Sequence, residues 1–156
     1  MTFSSTETTV TVRPIELDDC DICALTSLMN QWDDVTEEYS KEYIENRIID
    51  IKASRNAEIL VAETEDNEII GYTCLTEVIF LGMEPFIELQ SILVDEKHRG
   101  KGVGHLLVKA SEKWSRDNGF KKMVLSSRVQ LEKAHQFYKN LDFKEYKQSI
   151  FFSKDL

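Results

Sequence analysis

The residues best suited to chemistry form one short run, Asp95-Glu96-Lys97-His98-Arg99-Gly100-Lys101-Gly102-Val103-Gly104. Glycines at 100, 102 and 104 leave out the Cβ atoms that would keep successive backbone N–H groups apart. If a helix starts here, its positive end adds to those donors. Such a turn can cradle a phosphate or pyrophosphate, with Arg99 and Lys101 supplying charge and Arg99 able to make forked contacts. The plainer reading is a tight corner. No Lys-Ser or Lys-Thr follows Gly104, so this is not a Walker loop. The G-x-G-x-G spacing, near residue 100 and after antiparallel-looking strands, is not a Rossmann fingerprint.

Other reactive side chains are ambiguous when read singly. Ser126, Ser127 and Arg128 either line a cleft or make a polar loop. His98 and His105 flank the glycine turn and His135 precedes Phe137; each reads as a surface or helix residue. Periodicity places Tyr138 on an apolar helix face with Ala134 and Phe137, which by itself means core packing. Cys20 and Cys23 form a C-x-x-C among Asp18, Asp19 and Asp21, whose charge opposes thiolate formation. No second cysteine pair or nearby histidine completes a zinc site, so a buried helix face is expected, and Cys74 too is read as a reduced thiol.

The elements that position these groups follow from periodicity. Residues 10–15 alternate as a first strand, and Asp18-Asp19 opens a helix with Ile22, Leu25, Leu28 and Met29 on one face. A second helix is predicted over 37–53 from Tyr39, Tyr43, Ile44, Ile48 and Ile51. Residues 58–64 and 68–80 form a hairpin about Asp66-Asn67, and the apolar density of 86–94 marks a central strand. After the glycine turn, Val103, Leu106, Leu107, Ala110 and Trp114 share a helix face that Asn118-Gly119 ends. A strand over 122–126, a helix carrying Leu131 to Leu141 and one or two closing strands over 143–152 complete the order. The expected fold is α/β (α+β), a single mixed, mostly antiparallel sheet of six to seven strands flanked by four helices.

The chain has 156 residues, 42% of them hydrophobic, with 2 prolines and 6 glycines, which fits a single domain over 1–156 with a flexible segment at 1–8. No apolar run reaches the roughly 20 residues of a membrane span, and the polar start lacks the pattern of a signal peptide, so a cytoplasmic location is expected. The net charge of −9 is uneven: residues 1–96 hold 22 acids and 5 Lys or Arg, and residues 97–156 hold 6 acids and 14 bases. An acidic first part argues against nucleic acid and for cations, whereas the basic second part suits a polyphosphate; interleaving of the charges in space would remove that contrast.

The run Arg99-Gly100-Lys101-Gly102-Val103-Gly104 resembles the Q/R-x-x-G-x-G/A signature of the GNAT (GCN5-related) N-acetyltransferases. Leu93-Val94 look like the strand which that family uses for acetyl-coenzyme A. Ala134, Phe137, Tyr138 and Phe143 are similar to its second landmark, and the element order over 10–152 fits the same family. The resemblance implies an acyl-CoA N-acyltransferase fold and acetyl-CoA as cosubstrate, with no metal. Coenzyme contacts are implied for Ile92, Leu93, Val94, Arg99, Gly100, Lys101, Gly102, Val103, Gly104, Ser127, Ala134 and Phe137. It further implies backbone donors at Ile92, Leu93 and Val94 for the oxyanion and Tyr138 as general acid. Two positions depart from the pattern: Leu131 stands where many members have asparagine, and Asp142-Phe143 where Gly-Phe is common.

Strict alternation puts Glu88 on one face with Gln90 and Ile92, toward the acceptor end, as direct or water-relayed base; Glu84 in the preceding loop is the rival. The expected activity is acetyl transfer to a primary amine of a small cationic acceptor, with no nucleic-acid or membrane partner, and homodimers are common among such folds. The competing readings are an acetyltransferase acting on protein N-termini or lysines, a non-catalytic acetyl-CoA sensor kept open by Leu131, and an unrelated phosphate-binding domain.

Overall fold

Alternating β-branched and apolar residues build a five-stranded sheet whose spatial order is the chain order, β1-β2-β3-β4-β5. The strands are β1 (Val10–Pro14), β2 (Ala57–Thr64), β3 (Ile69–Val78), β4 (Phe86–Val94) and β5 (Met123–Val124). The first four pair antiparallel and β5 joins β4 in parallel. Four helices accompany them: α1 (Asp19–Met29), α2 (Lys41–Ala53), α3 (Val103–Asp117) and α4 (Glu132–Asn140). The structure, a computed structural model, describes residues 9–156; the segment 1–8, expected to be flexible, lies outside the described residues. Two compact units result, one ending at Ser126 and the other spanning Ser127–Leu156.

In the first unit, α1 and α2 cover one face of the sheet. Ile22, Leu25, Leu28, Ile44 and Ile48 bury against Ile59, Val61, Tyr72, Cys74 and Leu93. Each such side chain contributes roughly 1.5–3 kcal/mol when fully buried. On the opposite face, α3 packs Val103 and Leu107 onto Ala62 and Ile70, with Ile92 and Val94 alongside. The inward stripe of α3 is Val103, Leu107, Val108, Ser111 and Ser115, and Leu106 is exposed, contrary to the sequence reading. Ser111 and Ser115 can be buried because their hydroxyls donate to the carbonyls of Leu107 (2.7 Å) and Ser111 (2.8 Å). Close approach of α3 also requires Gly71, where a Cβ would lie 2.9 Å from the Leu93 carbonyl oxygen and 3.1 Å from Leu107 Cδ1.

Three other expectations are corrected. The segment after Phe143 forms no strand among the described residues, so the sheet has five strands rather than six or seven. Ile150, Phe151 and Phe152 are 81%, 85% and 91% exposed: β-prone residues without a partner ladder do not make a strand. Cys20 and Cys23 are exposed, because α1 turns Asp21, Ile22, Leu25 and Leu28 inward. Finally, α2 starts at Lys41, where the Ser40 hydroxyl accepts from the Tyr43 amide, so residues 37–40 belong to the preceding loop.

A buried Asp21 defies hydropathy, and its partners explain it. Arg13 forks onto Asp21 at 2.8 and 2.9 Å and reaches Glu63 at 2.7 and 3.1 Å, and the Glu16 amide donates to Asp21 as well. The network fixes α1 to strands β1 and β2.

Candidate active site

The centre of the site is a fault in β4. Cys74 lies opposite Ser91 and Leu75 opposite Leu89, leaving Gln90 as an extra residue in the strand. A bulge of this kind bends and twists its strand. The ladder to β5 runs through Ile87↔Met123 and Glu88↔Val124, and no later rung joins the two strands among the described residues. The paired stretch thus ends at Glu88, short of Ile92, Leu93 and Val94.

The bulge also reverses the side-chain alternation. Thr76, opposite Glu88, and Cys74, opposite Ser91, share a face of β3, so Glu88 lies with Ser91 and Leu93 on the α1–α2 side. Ile92 and Val94 face α3. Glu88 therefore does not share a face with Ile92, as strict alternation had it. Glu88 is half-buried, with no side-chain partner among the described residues. Glu84 is exposed in the loop before β4.

Beyond β4, Asp95 caps a single 3-10 turn, Glu96–His98, and the chain enters α3 through two left-handed glycines, Gly100 (φ 74°) and Gly102 (φ 83°). The first helical hydrogen bond of α3 runs from the Leu106 amide to the Gly102 carbonyl at 3.1 Å. The amides of Val103, Gly104 and His105 before it have no helical acceptor, and Gly102 offers no side-chain cap. A Cβ on Gly100 or Gly102 would meet nothing within 4 Å, so the space over the turn is open. Arg99 Nε donates to the Val94 carbonyl (3.0 Å) and Lys101 Nζ to that of Lys97 (3.0 Å), which keeps both cations on the turn. Open space, amides without a helical acceptor and two cations together fit a polyphosphate.

The histidines have structural partners: His98 Nδ1 is 3.0 Å from Asp95 Oδ1 and His135 Nε2 is 2.9 Å from the Arg128 carbonyl oxygen, while His105 is exposed. Burial pushes the Cys74 thiol up to about 11, so it remains protonated at neutral pH.

In the second unit, Tyr138 sits edge-on between Phe137 (5.3 Å between ring centres) and Phe143 (5.9 Å). Burial raises its phenol above the ordinary 10. Ala134, one turn earlier on α4, is half-buried. The Ser127 hydroxyl is buried without a hydrogen-bond partner among the described residues. Leu131 occupies the N-cap of α4 and gives it no side-chain hydrogen bond. Asp142 adopts a left-handed turn (φ 65°), a conformation that aspartate tolerates better than most residues.

Residues 25–143 match the model of the acetyltransferase (GNAT) family. The chain belongs to that family. Over 114 residues this GNAT chain is 32% identical to an aminoglycoside N(6')-acetyltransferase type 1 of Klebsiella aerogenes, covering 69% of this chain and 72% of that one. It is 38% identical over 69 residues to N-acetyltransferase 8B of Homo sapiens, which is 44% of this chain and 30% of that protein's length. Among solved structures, an aminoglycoside N-acetyltransferase in complex with CoA superimposes with a TM-score of 0.80 at 17% identity, over 96% of this chain and 97% of that one.

Sequence reasoning passed over several residues that tie the end of α1 and the loop after it to the rest of the first unit. Trp32 Nε1 donates to the Tyr72 hydroxyl (2.9 Å), which in turn donates to Met29 Sδ (2.8 Å), fastening the end of α1 to β3. Asn30 exchanges two hydrogen bonds with the Tyr39 backbone, at 2.8 and 3.2 Å, and so closes the loop 31–38 at its base. Gln31 reaches Asp95. Polar residues at a helix end have no periodicity that would have marked them.

Proposed function

We propose that this chain, acting as one domain over 1–156, transfers the acetyl group of acetyl-CoA to a primary amine of a small cationic acceptor. The observation that carries the reading is the entry to α3 through two left-handed glycines with open space over them and no side-chain cap, which offers a cradle for phosphates, while β4 beyond Glu88 has no rung to β5 among the described residues and can take the ligand's arm. The turn Arg99-Gly100-Lys101-Gly102-Val103-Gly104 holds the pyrophosphate, and Ile92, Leu93 and Val94 pair with the pantetheine arm, supported by Ser127, Ala134 and Phe137. When bound, acetyl-CoA supplies a thioester, an acyl group already activated toward nitrogen.

The protein's own groups do the rest. Glu88, on the α1–α2 side, takes a proton from the acceptor ammonium, directly or through a water. Of the backbone N–H groups at Ile92, Leu93 and Val94, that of Leu93 is directed at β3, and those of Ile92 and Val94 donate to the carbonyl oxygen as negative charge builds there. Tyr138, held protonated by burial, gives its proton to the departing sulfur. The loop 31–38 contributes Asp33, Asp34, Glu37 and Glu38 with no Lys or Arg, a field that favours a cationic amine. The relatives named for aminoglycoside acetylation support a polyamine-like acceptor of that kind.

The test is the unfolding midpoint of the protein alone, with acetyl-CoA and with ATP. A ligand at 100 times its Kd adds about 2.7 kcal/mol. A rise with acetyl-CoA alone supports the thioester site and leads to a panel of amines; no rise, or an equal rise with ATP, overturns it.

A further inference from the structure

The acceptor side and the coenzyme turn are joined by one side chain. Gln31, the first residue after Asn30 at the end of α1, donates through Nε2 to Asp95 Oδ2 (2.8 Å) and accepts through Oε1 from the Glu96 amide (3.2 Å). Both ends of its amide are thus used on the residues that follow β4, 64 and 65 positions away in sequence. Asp95 is itself the hub of that turn. Its amide donates to the Ile70 carbonyl (2.8 Å), and its other carboxylate oxygen accepts from the Lys97 amide (3.0 Å) and faces His98 Nδ1 (3.0 Å). One residue earlier, the Val94 carbonyl receives Arg99. Any shift of Asp95 must therefore move Lys97, His98 and the start of the glycine turn together.

On the other side of the amide lies a closed loop. Asn30 and Tyr39 lock its two ends, Trp32 ties it to Tyr72 on β3, and Tyr39 stacks on Tyr43 of α2 with ring centres 5.5 Å apart. A loop fixed at its base and at Trp32 has few ways to respond to its surroundings, and Gln31 gives it one that leads to the coenzyme turn.

We propose that Gln31 is a positioning residue that couples the two substrate sites: occupation of the glycine turn by coenzyme phosphates holds Asp95 and Glu96 still, and through Gln31 this fixes the acidic loop 31–38 for the acceptor amine. The proposal rests on the acetyl-CoA reading above. Its mechanical requirement is a pair of hydrogen bonds from one neutral amide, which asparagine is too short to make and methionine cannot make at all. By reciprocity, an acceptor on the loop tightens coenzyme binding by the same factor, and couplings of this type span roughly 5–150-fold.

Amide hydrogen exchange of the full chain, with and without CoA, tests this without knowledge of the acceptor. In the wild type, CoA slows exchange at least threefold in both 95–104 and 31–38. In Gln31→Met, CoA still slows exchange in 95–104, while 31–38 exchanges at its ligand-free rate. Gln31→Asn serves as the second variant if Gln31→Met lowers the melting temperature enough to obscure the comparison. A merely structural role changes exchange in the loop equally with and without CoA, so equal CoA-dependent slowing of 31–38 in wild type and variant overturns the coupling. Slowing confined to 95–104 in the wild type overturns it too. No slowing at 95–104 in the wild type refutes the acetyl-CoA site, and the coupling falls with it.

Discussion

Tyr138 is a phenol whose burial between Phe137 and Phe143 raises its pKa, so it stays protonated throughout the neutral range and loses its proton only above its ordinary 10. Tyr138→Phe keeps the ring packing and removes the proton, so kcat is expected to fall about 10²–10⁴-fold with little change in melting temperature. Steady-state kinetics with the best amine checks this; unchanged kcat assigns Tyr138 to packing. Glu88→Gln is expected to lower kcat most at low pH, where an acceptor ammonium most needs a base. A pH–rate profile parallel to that of the wild type would remove Glu88 from the reaction. Hydrogen bonds from Arg13 hold the Asp21 carboxyl below its ordinary 3.8, and Glu63 below its ordinary 4.5. Folded-state values depressed in this way add stability above the unfolded values and lose it as pH falls through the folded ones. Asp21→Ala should cost about 3 kcal/mol at pH 7 and flatten the stability profile below pH 4, as denaturant titrations at several pH values would show.

The elements hold their places through small residues and irregularities as much as through apolar stripes. Gly71→Ala puts a methyl 2.9 Å from the Leu93 carbonyl oxygen and against Leu107, so α3 must move off the sheet at a cost of about 1–3 kcal/mol, read from the urea midpoint. Because α3 starts at the glycine turn, the same variant should also weaken acetyl-CoA binding; retained affinity would mean that the turn is set by its own glycines alone. Element positions in the first unit were legible because periodicity reports which face is buried. What periodicity could not report is where the period breaks. Strict alternation carried Glu88 onto the face of Ile92, and the extra residue at Gln90, invisible as a residue type, moved it to the other side. The burial of Asp21 left no mark in the sequence because its partner Arg13 comes from a different element. The same blindness placed the cysteines: a stripe that includes a buried aspartate leaves Cys20 and Cys23 outside. Gln31 and Asn30 went unnoticed because hydrogen bonds between distant loops leave no local pattern.

Across the molecule, the glycine turn was the most legible feature, since its backbone chemistry is written directly in residue type, and the last segment was the least. The Ile150-Phe151-Phe152 run has the composition of a strand, but a strand is a pairing, and composition names no partner. No helix is long and apolar enough to cross a membrane among the described residues. The sheet order β1-β2-β3-β4-β5 bears on how the chain comes to be folded at all. The β2–β3 and β3–β4 pairs close short connections, so they can form early at small loop-closure cost, whereas β5 must wait for the whole of α3 to cross back before it meets β4. A chain still being synthesised would therefore carry α1, α2 and the first four strands before β5 pairs with β4. The capacity to grip coenzyme would mature last, making ligand binding a report on completion rather than on collapse.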